Sequence, residues 1–220
     1  MLSKQQLLLV LEGIRENQYV LEIDGKRLFN YKTVYYDTPD FQFYKDHHNG
    51  CINRVKVRCR EYVESNLCFY EIKRKLFGTR TDKQRKIIPA LFEQIPIDEY
   101  NLIQYKRLNQ KPLEKKMTNT FKRITLTNKQ HTERITIDLD ISFDNGRQEL
   151  KIPDIVIIEV KQAKSDVFSN TIQVLKKLRI FETSFSKYSI GTALMESHLK
   201  YNYFKPILLQ MNKIKNLTNN

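Results

Sequence analysis

Tryptophan is absent from this chain, and glycine and proline are each used only six times in 220 residues. No Pro/Gly/Ser-rich stretch divides it, so a single domain is the expectation for this length. Cysteine is scarce too. Cys51, Cys59 and Cys68 are odd in number and lack CxxC spacing, which argues against a disulfide framework or a zinc site and for a reducing compartment, the cytoplasm. The longest early apolar run, "LLLVL" at 7–11, is too short to cross a bilayer, and no export signal accompanies it. Of the four histidines, His47 and His48 share a turn-like stretch while His131 and His198 stand alone, so no His or Cys constellation for catalysis is visible. "LFGTRTDK" at 76–83 lacks the Gly-rich spacing and the Gly-Lys-Ser/Thr ending of a Walker loop.

Negative charge is in short supply as well: 25 Asp+Glu stand against 38 Lys+Arg, a formal net charge of +13. Such an excess predicts an anionic partner, which could be nucleic acid, a membrane surface or a polyphosphorylated small molecule. The 12 Tyr and 12 Phe are spread through strand-like segments, which suits core positions better than a base-stacking platform.

Ser3 and Gln6 have capping-box spacing and predict a helix from about residue 4 to 16. Strands follow in "YKTVYYDTPD", stopped by Pro39, in "RVKVRCREYV", in "LCFYEIKRKL" before a break at Gly78, and in "TDKQRKIIP". The spacing of Leu91, Phe92, Ile95, Tyr100 and Ile103 predicts helix from Ala90 to about Leu108, interrupted near Pro96. Strands resume at 120–127, 133–143 and 154–162. Helices are then expected over 165–180 and about 187–204, ahead of a polar tail over 206–220 whose last ten residues, "MNKIKNLTNN" at 211–220, are expected to fray. The plan is α+β with mainly antiparallel strands, a domain over 1–205 and the tail.

In "RVKVRCR", Arg54, Lys56, Arg58 and Arg60 share one strand face and Val55, Val57 and Cys59 the other. A solvated basic edge strand would read the same way. Other strands repeat the pattern, however: Glu71, Lys73 and Lys75 share a face, as do Lys83 and Arg85, and Arg123 lies between Phe121 and Thr125. In "ERITIDLDISF", Ile135, Ile137, Leu139, Ile141 and Phe143 are expected on one face, with Arg134, Thr136, Asp138, Asp140 and Ser142 on the other. If the sheet closes, these charged faces line a tunnel. Asp138, Asp140 and Glu159 are hard oxygen donors suited to Mg²⁺ or Mn²⁺, and equally to salt bridges with neighbouring cations.

The motifs "YYDTPDFQFY", "KVRCREY", "FYEIKRK", "TDKQR", "ERITIDLD", "IIEVK" and "SFSKYSIG" occur in this order between residues 35 and 191. The chain thereby resembles VTC-domain proteins, the polyphosphate polymerase branch of the triphosphate tunnel (CYTH-like) metalloenzymes. The resemblance implies an antiparallel tunnel barrel that moves the γ-phosphate of ATP onto inorganic polyphosphate with Mn²⁺ or Mg²⁺. It maps Arg58, Arg60, Lys73, Arg134 and Lys187 onto catalytic positions, and Lys83, Arg85, Arg123 and Ser186 onto phosphate-binding ones. Lys56 and Lys161 join the phosphate-binding group by their facing. Glu159 looks like the metal carboxylate, with Asp138 beside it, while Arg54 stands at the tunnel mouth.

Family members usually begin with a Glu/Arg/Lys-rich strand, whereas here Met1 leads into the cap at Ser3, so the first tunnel strand is expected to be missing. Ser184 stands where eukaryotic members tend to place a lysine. Membrane proteins often work beside the family, and nucleic acid is not an expected ligand. A triphosphate phosphohydrolase and a non-catalytic polyphosphate or inositol-polyphosphate binding module remain as alternatives.

Overall fold

The computed structural model describes residues 1–76, 81–105, 108, 111–162 and 164–218. Its first helix, α1 (Lys4–Ile14), carries the expected capping box: Ser3 Oγ accepts from the Gln6 amide at 3.1 Å and Gln6 Oε1 accepts from the Ser3 amide at 3.0 Å. Among the described residues nine strands follow: β1 (Gln18–Val20), β2 (Phe29–Asp37), β3 (Arg54–Tyr62), β4 (Leu67–Lys75), β5 (Thr81–Ile88), β6 (Glu114–Asn128), β7 (Glu133–Asp144), β8 (Glu149–Ile152) and β9 (Ile157–Gln162). They form one antiparallel sheet in the order β5-β4-β3-β2-β6-β7-β8, with β1 also on β6 and β9 also on β7. Among the described residues β5 does not pair with β9, so the expected barrel is a curled half-barrel.

A β-bulge decides how the concave side is used. Phe121 on β6 is opposed by both Asp140 and Ile141 on β7, and Asp140 takes φ 49°. The extra residue reverses the alternation. Before it, Ile135 and Ile137 point to the convex side and pack with α1 and α3 (Asn170–Lys177); after it, Ile141 and Phe143 point to the concave side. The five apolar residues expected on one face are therefore divided between two.

Met117, Phe121, Ile141 and Phe143 floor the concave side, and α4 (Lys187–Met195) lies on them. Gly191 makes the close approach possible: an added Cβ would clash with the Met117 sulfur and fall 2.6 Å from Phe143 Cδ1. A second convex core gathers Val55, Val57, Cys59, Tyr70 and Ile72 beneath the 90–113 segment. That segment is not the expected helix. Among its described residues a 3₁₀ turn runs over Ile97–Leu102, just after Pro96, whose missing amide donor interrupts a helix there.

His47 and His48, read as turn residues, belong to α2 (Gln42–His48), whose first amides at Phe43 and Tyr44 donate to the buried Asp37 carboxylate at 2.8 and 2.9 Å. The stretch expected as a fraying tail is helical, α5 (Lys205–Thr218), because Met211 and Ile214 are buried against the concave core. The expected break at Gly78 lies outside the described residues. Among the described residues no helix is long and apolar enough to cross a membrane.

Candidate active site on the concave face

Strand register sets the site row by row. Arg54 lies opposite Lys75, Lys56 opposite Lys73, and Lys73 in turn opposite Lys83. Like charges directly opposed across strands are destabilising, and three such pairs adjoin here. The next row is compensated: Arg58 Nε donates to Glu71 at 2.7 Å, and Arg85 lies 3.5 Å from the same carboxylate. Arg85 also stacks on Phe69, 3.4 Å from the ring centroid.

Arg60 is buried. Its Nε donates to Thr33 Oγ1 at 3.1 Å and its guanidinium lies 5.9 Å from the centroids of both Tyr31 and Phe121. Burial, and then Arg58, pull its pKa down to about 10, so the site holds this charge at a cost. Across β6 and β7, Arg123 grips Asp138 through two hydrogen bonds of 2.6 and 2.9 Å, and Lys187 at the start of α4 pairs with the same carboxylate.

Curling brings the two ends of the sheet into electrostatic contact. Lys73 on β4 is lowered by burial, Lys83 and Arg58, while Glu159 on β9 works the other way. Glu159 itself is disfavoured as an anion by burial, yet Lys161 at 3.1 Å, Arg123 and Lys187 outweigh that and hold its pKa below the usual carboxylate range. Lys161 is paired in register with Arg134, which stands exposed at the end of this face. Helix α4 begins at the rim of the charged area. Its N-cap Ser186 accepts from Lys56 Nζ at 2.8 Å, and the helix N-terminus adds partial positive charge there.

All the expected phosphate-binding side chains therefore share one face or its rim, with Arg134 and Lys83 at its exposed edges. The carboxylates set among these cations are Glu71, Asp138 and Glu159. Asp138 departs from its expected role. Its side chain is 2 % exposed and Arg123 and Lys187 donate three hydrogen bonds to its two oxygens, the salt-bridge role the sequence also allowed. Asp140, as the bulge residue, turns away to Lys4 and Lys122, each at 3.2 Å. Glu159 is half-exposed, with Lys161 beside it at 3.1 Å. Among the described residues no three His, Cys, Asp or Glu side chains gather.

Sequence reading missed two contributors: the rings of Tyr31 and Phe121 beneath Arg60, Arg123 and Lys187, and the buried pair His47–Ser189 behind Ser186. Alternation already placed Phe121 beside Arg123; nothing local in the sequence pairs His47 with Ser189.

Residues 1–196 match the VTC domain. The chain belongs to this family. A comparison with curated proteins finds no match. Among solved structures, this VTC domain is similar to a Hippeastrum protein named as an adenylyl cyclase and described as having a dominant triphosphatase activity. Identity is 12 % and the TM-score 0.52, over 87 % of this chain and 91 % of the other. The PH1819 protein of Pyrococcus horikoshii aligns at 16 % identity and TM-score 0.44, over 86 % and 93 %. At 12 % identity the likeness to the Hippeastrum protein speaks to fold, which is that of the triphosphate tunnel proteins.

Proposed function

We propose that this VTC domain is a metal-dependent polyphosphate polymerase that transfers the γ-phosphate of ATP onto the end of an inorganic polyphosphate chain. The observation that carries the reading is the run of directly opposed cation pairs, Arg54/Lys75, Lys56/Lys73 and Lys73/Lys83, along one concave face, where Glu159 offsets the repulsion at Lys73 only in part. A chain that folds against such repulsion gains it back when a linear polyanion lies between the strands. Arg58, Arg60 and Arg123 present planar donors to phosphate oxygens, and Lys56, Lys73, Lys83, Lys161 and Lys187 add point charge. Phosphoryl transfer needs this neutralisation and in-line positioning more than covalent help, and a polyphosphate terminus is already an anionic nucleophile. The site thus works without a dedicated general base. Glu159 is the residue suited to hold Mn²⁺ or Mg²⁺, which would supply charge neutralisation to the bound phosphates.

Incubation of the pure protein with ATP and Mn²⁺ should produce long-chain polyphosphate and ADP. Release of orthophosphate without chain growth would favour the second reading, a triphosphate phosphohydrolase. One observation supports that alternative: burial, Lys73 and Arg54 depress Lys56 to about 7, low enough for its amine to take a proton from water. Tight binding of tripolyphosphate with neither product would sink both and leave a binding module.

A further inference from the structure

The polar network at the site does not end at Ser186. Ser186 Oγ accepts from Lys56 Nζ at 2.8 Å and from the Ser189 amide at 3.3 Å, and donates to Ser189 Oγ at 3.1 Å. Ser189 is fully buried, and its Oγ lies 2.5 Å from His47 Nδ1. His47, on α2 and 4 % exposed, is walled by the ring of Phe204 at 5.3 Å and that of Tyr203 at 6.1 Å. Four side chains from β3, α4 and α2 thus form an unbroken hydrogen-bonded chain from the concave face into the interior.

The direction of that chain follows from counting protons. A hydroxyl has one hydrogen and two lone pairs. Both lone pairs of Ser186 are used, by Lys56 and by the Ser189 amide, and its hydrogen goes to Ser189 Oγ. The one hydrogen of Ser189 is then left for His47, so Nδ1 accepts and the ring proton sits on Nε2. Burial, with Lys56, Arg54 and Lys75, lowers His47 to about 3 and keeps the ring neutral, as an acceptor must be. With the proton on Nδ1 instead, Ser189 Oγ would accept from both His47 and Ser186, and the Ser189 hydrogen would have no partner in the chain.

We propose that His47 is a positioning residue for the phosphate site: by accepting from Ser189 it orients the Ser186 hydroxyl so that an oxygen lone pair, not a proton, holds Lys56 Nζ at the concave face. The proposal rests on reading this face as a phosphate site. Lysine is a point charge on a flexible four-carbon stem, so a fixed acceptor behind it pre-organises the ammonium for an anion. Histidine acts here only through Ser189 and Ser186 and touches no substrate.

Two measurements on the full chain test it. In ¹⁵N-labelled protein, NMR of the His47 ring, assigned with the His47→Asn variant, should show an unprotonated Nδ1 and a protonated Nε2; a protonated Nδ1 overturns the proposal whatever the ligand result. Calorimetric titration with tripolyphosphate at fixed salt should show Ser189→Ala and His47→Phe each weakening binding about tenfold, the double variant no weaker than either single one, and His47→Asn, which retains an acceptor near the Nδ1 position, within about threefold of wild type. In a Lys56→Met background Ser189→Ala should have no further effect. Should His47→Phe fail to fold, Ser189→Ala and the tautomer still decide. Wild-type binding that Ser189→Ala leaves unchanged overturns the proposal alone, whereas no tripolyphosphate binding by wild type overturns the phosphate-site reading and the role of His47 with it.

Discussion

Replacing Lys56 by methionine should make the ligand-free protein more stable and the anion complex weaker. Methionine keeps most of the length and apolar contact of lysine and removes only the ammonium. Lys56 lies directly opposite Lys73, and burial together with that neighbour lowers its pKa from 10.5 to about 7. Such a gap corresponds to about 5 kcal/mol against the charged form in the folded state, a ceiling that solvent and relaxation reduce to about 1–3 kcal/mol. For a chain of this size that is a rise in Tm of roughly 2–4 °C per kcal/mol at pH 6–7.

The pH dependence carries the sign. The unfolded chain keeps the Lys56 proton up to about 10.5 and the folded chain only to about 7, so folding releases a proton between those values and stability rises with pH across the window. Lys56→Met should abolish that share of the rise. Binding should move the other way: one lost charge-assisted contact weakens tripolyphosphate by about 10–100-fold in calorimetry at fixed salt. Thermal melts of both proteins between pH 6 and 10 test the first half. A variant with lower Tm at neutral pH, an unchanged alkaline slope and unaltered affinity would refute the reasoning.

Asp138→Asn removes the charge that holds Arg123 and Lys187 together in a nearly dry site, and should cost about 3–5 kcal/mol in urea unfolding at pH 7. Burial opposes ionisation of Asp138, but Lys187 and Arg123 prevail and depress its pKa; its contribution is therefore complete above the unfolded carboxylate range and lost as pH falls through the folded value, and the variant should lack that part of the acid dependence. Gly191→Ala forces a methyl against Met117 and Phe143 and should lower stability by about 1–3 kcal/mol despite the better helix propensity of alanine; an equal or higher Tm would show that α4 sits more loosely. Glu159→Gln should raise the Mn²⁺ concentration needed for half-maximal turnover about tenfold while metal-free tripolyphosphate binds no more weakly, since a negative charge has left a basic site. An unchanged metal requirement would remove Glu159 from that role.

Much of the site was legible because strand alternation is local. A residue's face depends only on its parity within the strand, so Arg54 to Arg60, Glu71 to Lys75, and Lys83 with Arg85 could be aligned before any pairing was known. Parity also explains the failure at Asp140. One extra residue in β7 reverses every side chain after it, and nothing in "DLDISF" marks the bulge, which lies opposite Phe121 on another strand. The C-terminal helix was missed for a related reason: Met211 and Ile214 look sparse in a polar segment until the concave core supplies something to bury them against.

By itself, then, the sequence determined the excess of cations, the strands that carry them, the cap of α1 and the family resemblance, since composition, period and short motifs are properties of neighbouring residues. Only the tertiary structure decided which charges are neutralised. Arg123 reaches Asp138 over 15 residues, Lys187 reaches it over 49, and Lys56 reaches Ser186 over 130. Coulomb energy and hydrogen bonding depend on distance in space, and the curl of the sheet and the seat of α4 set that distance.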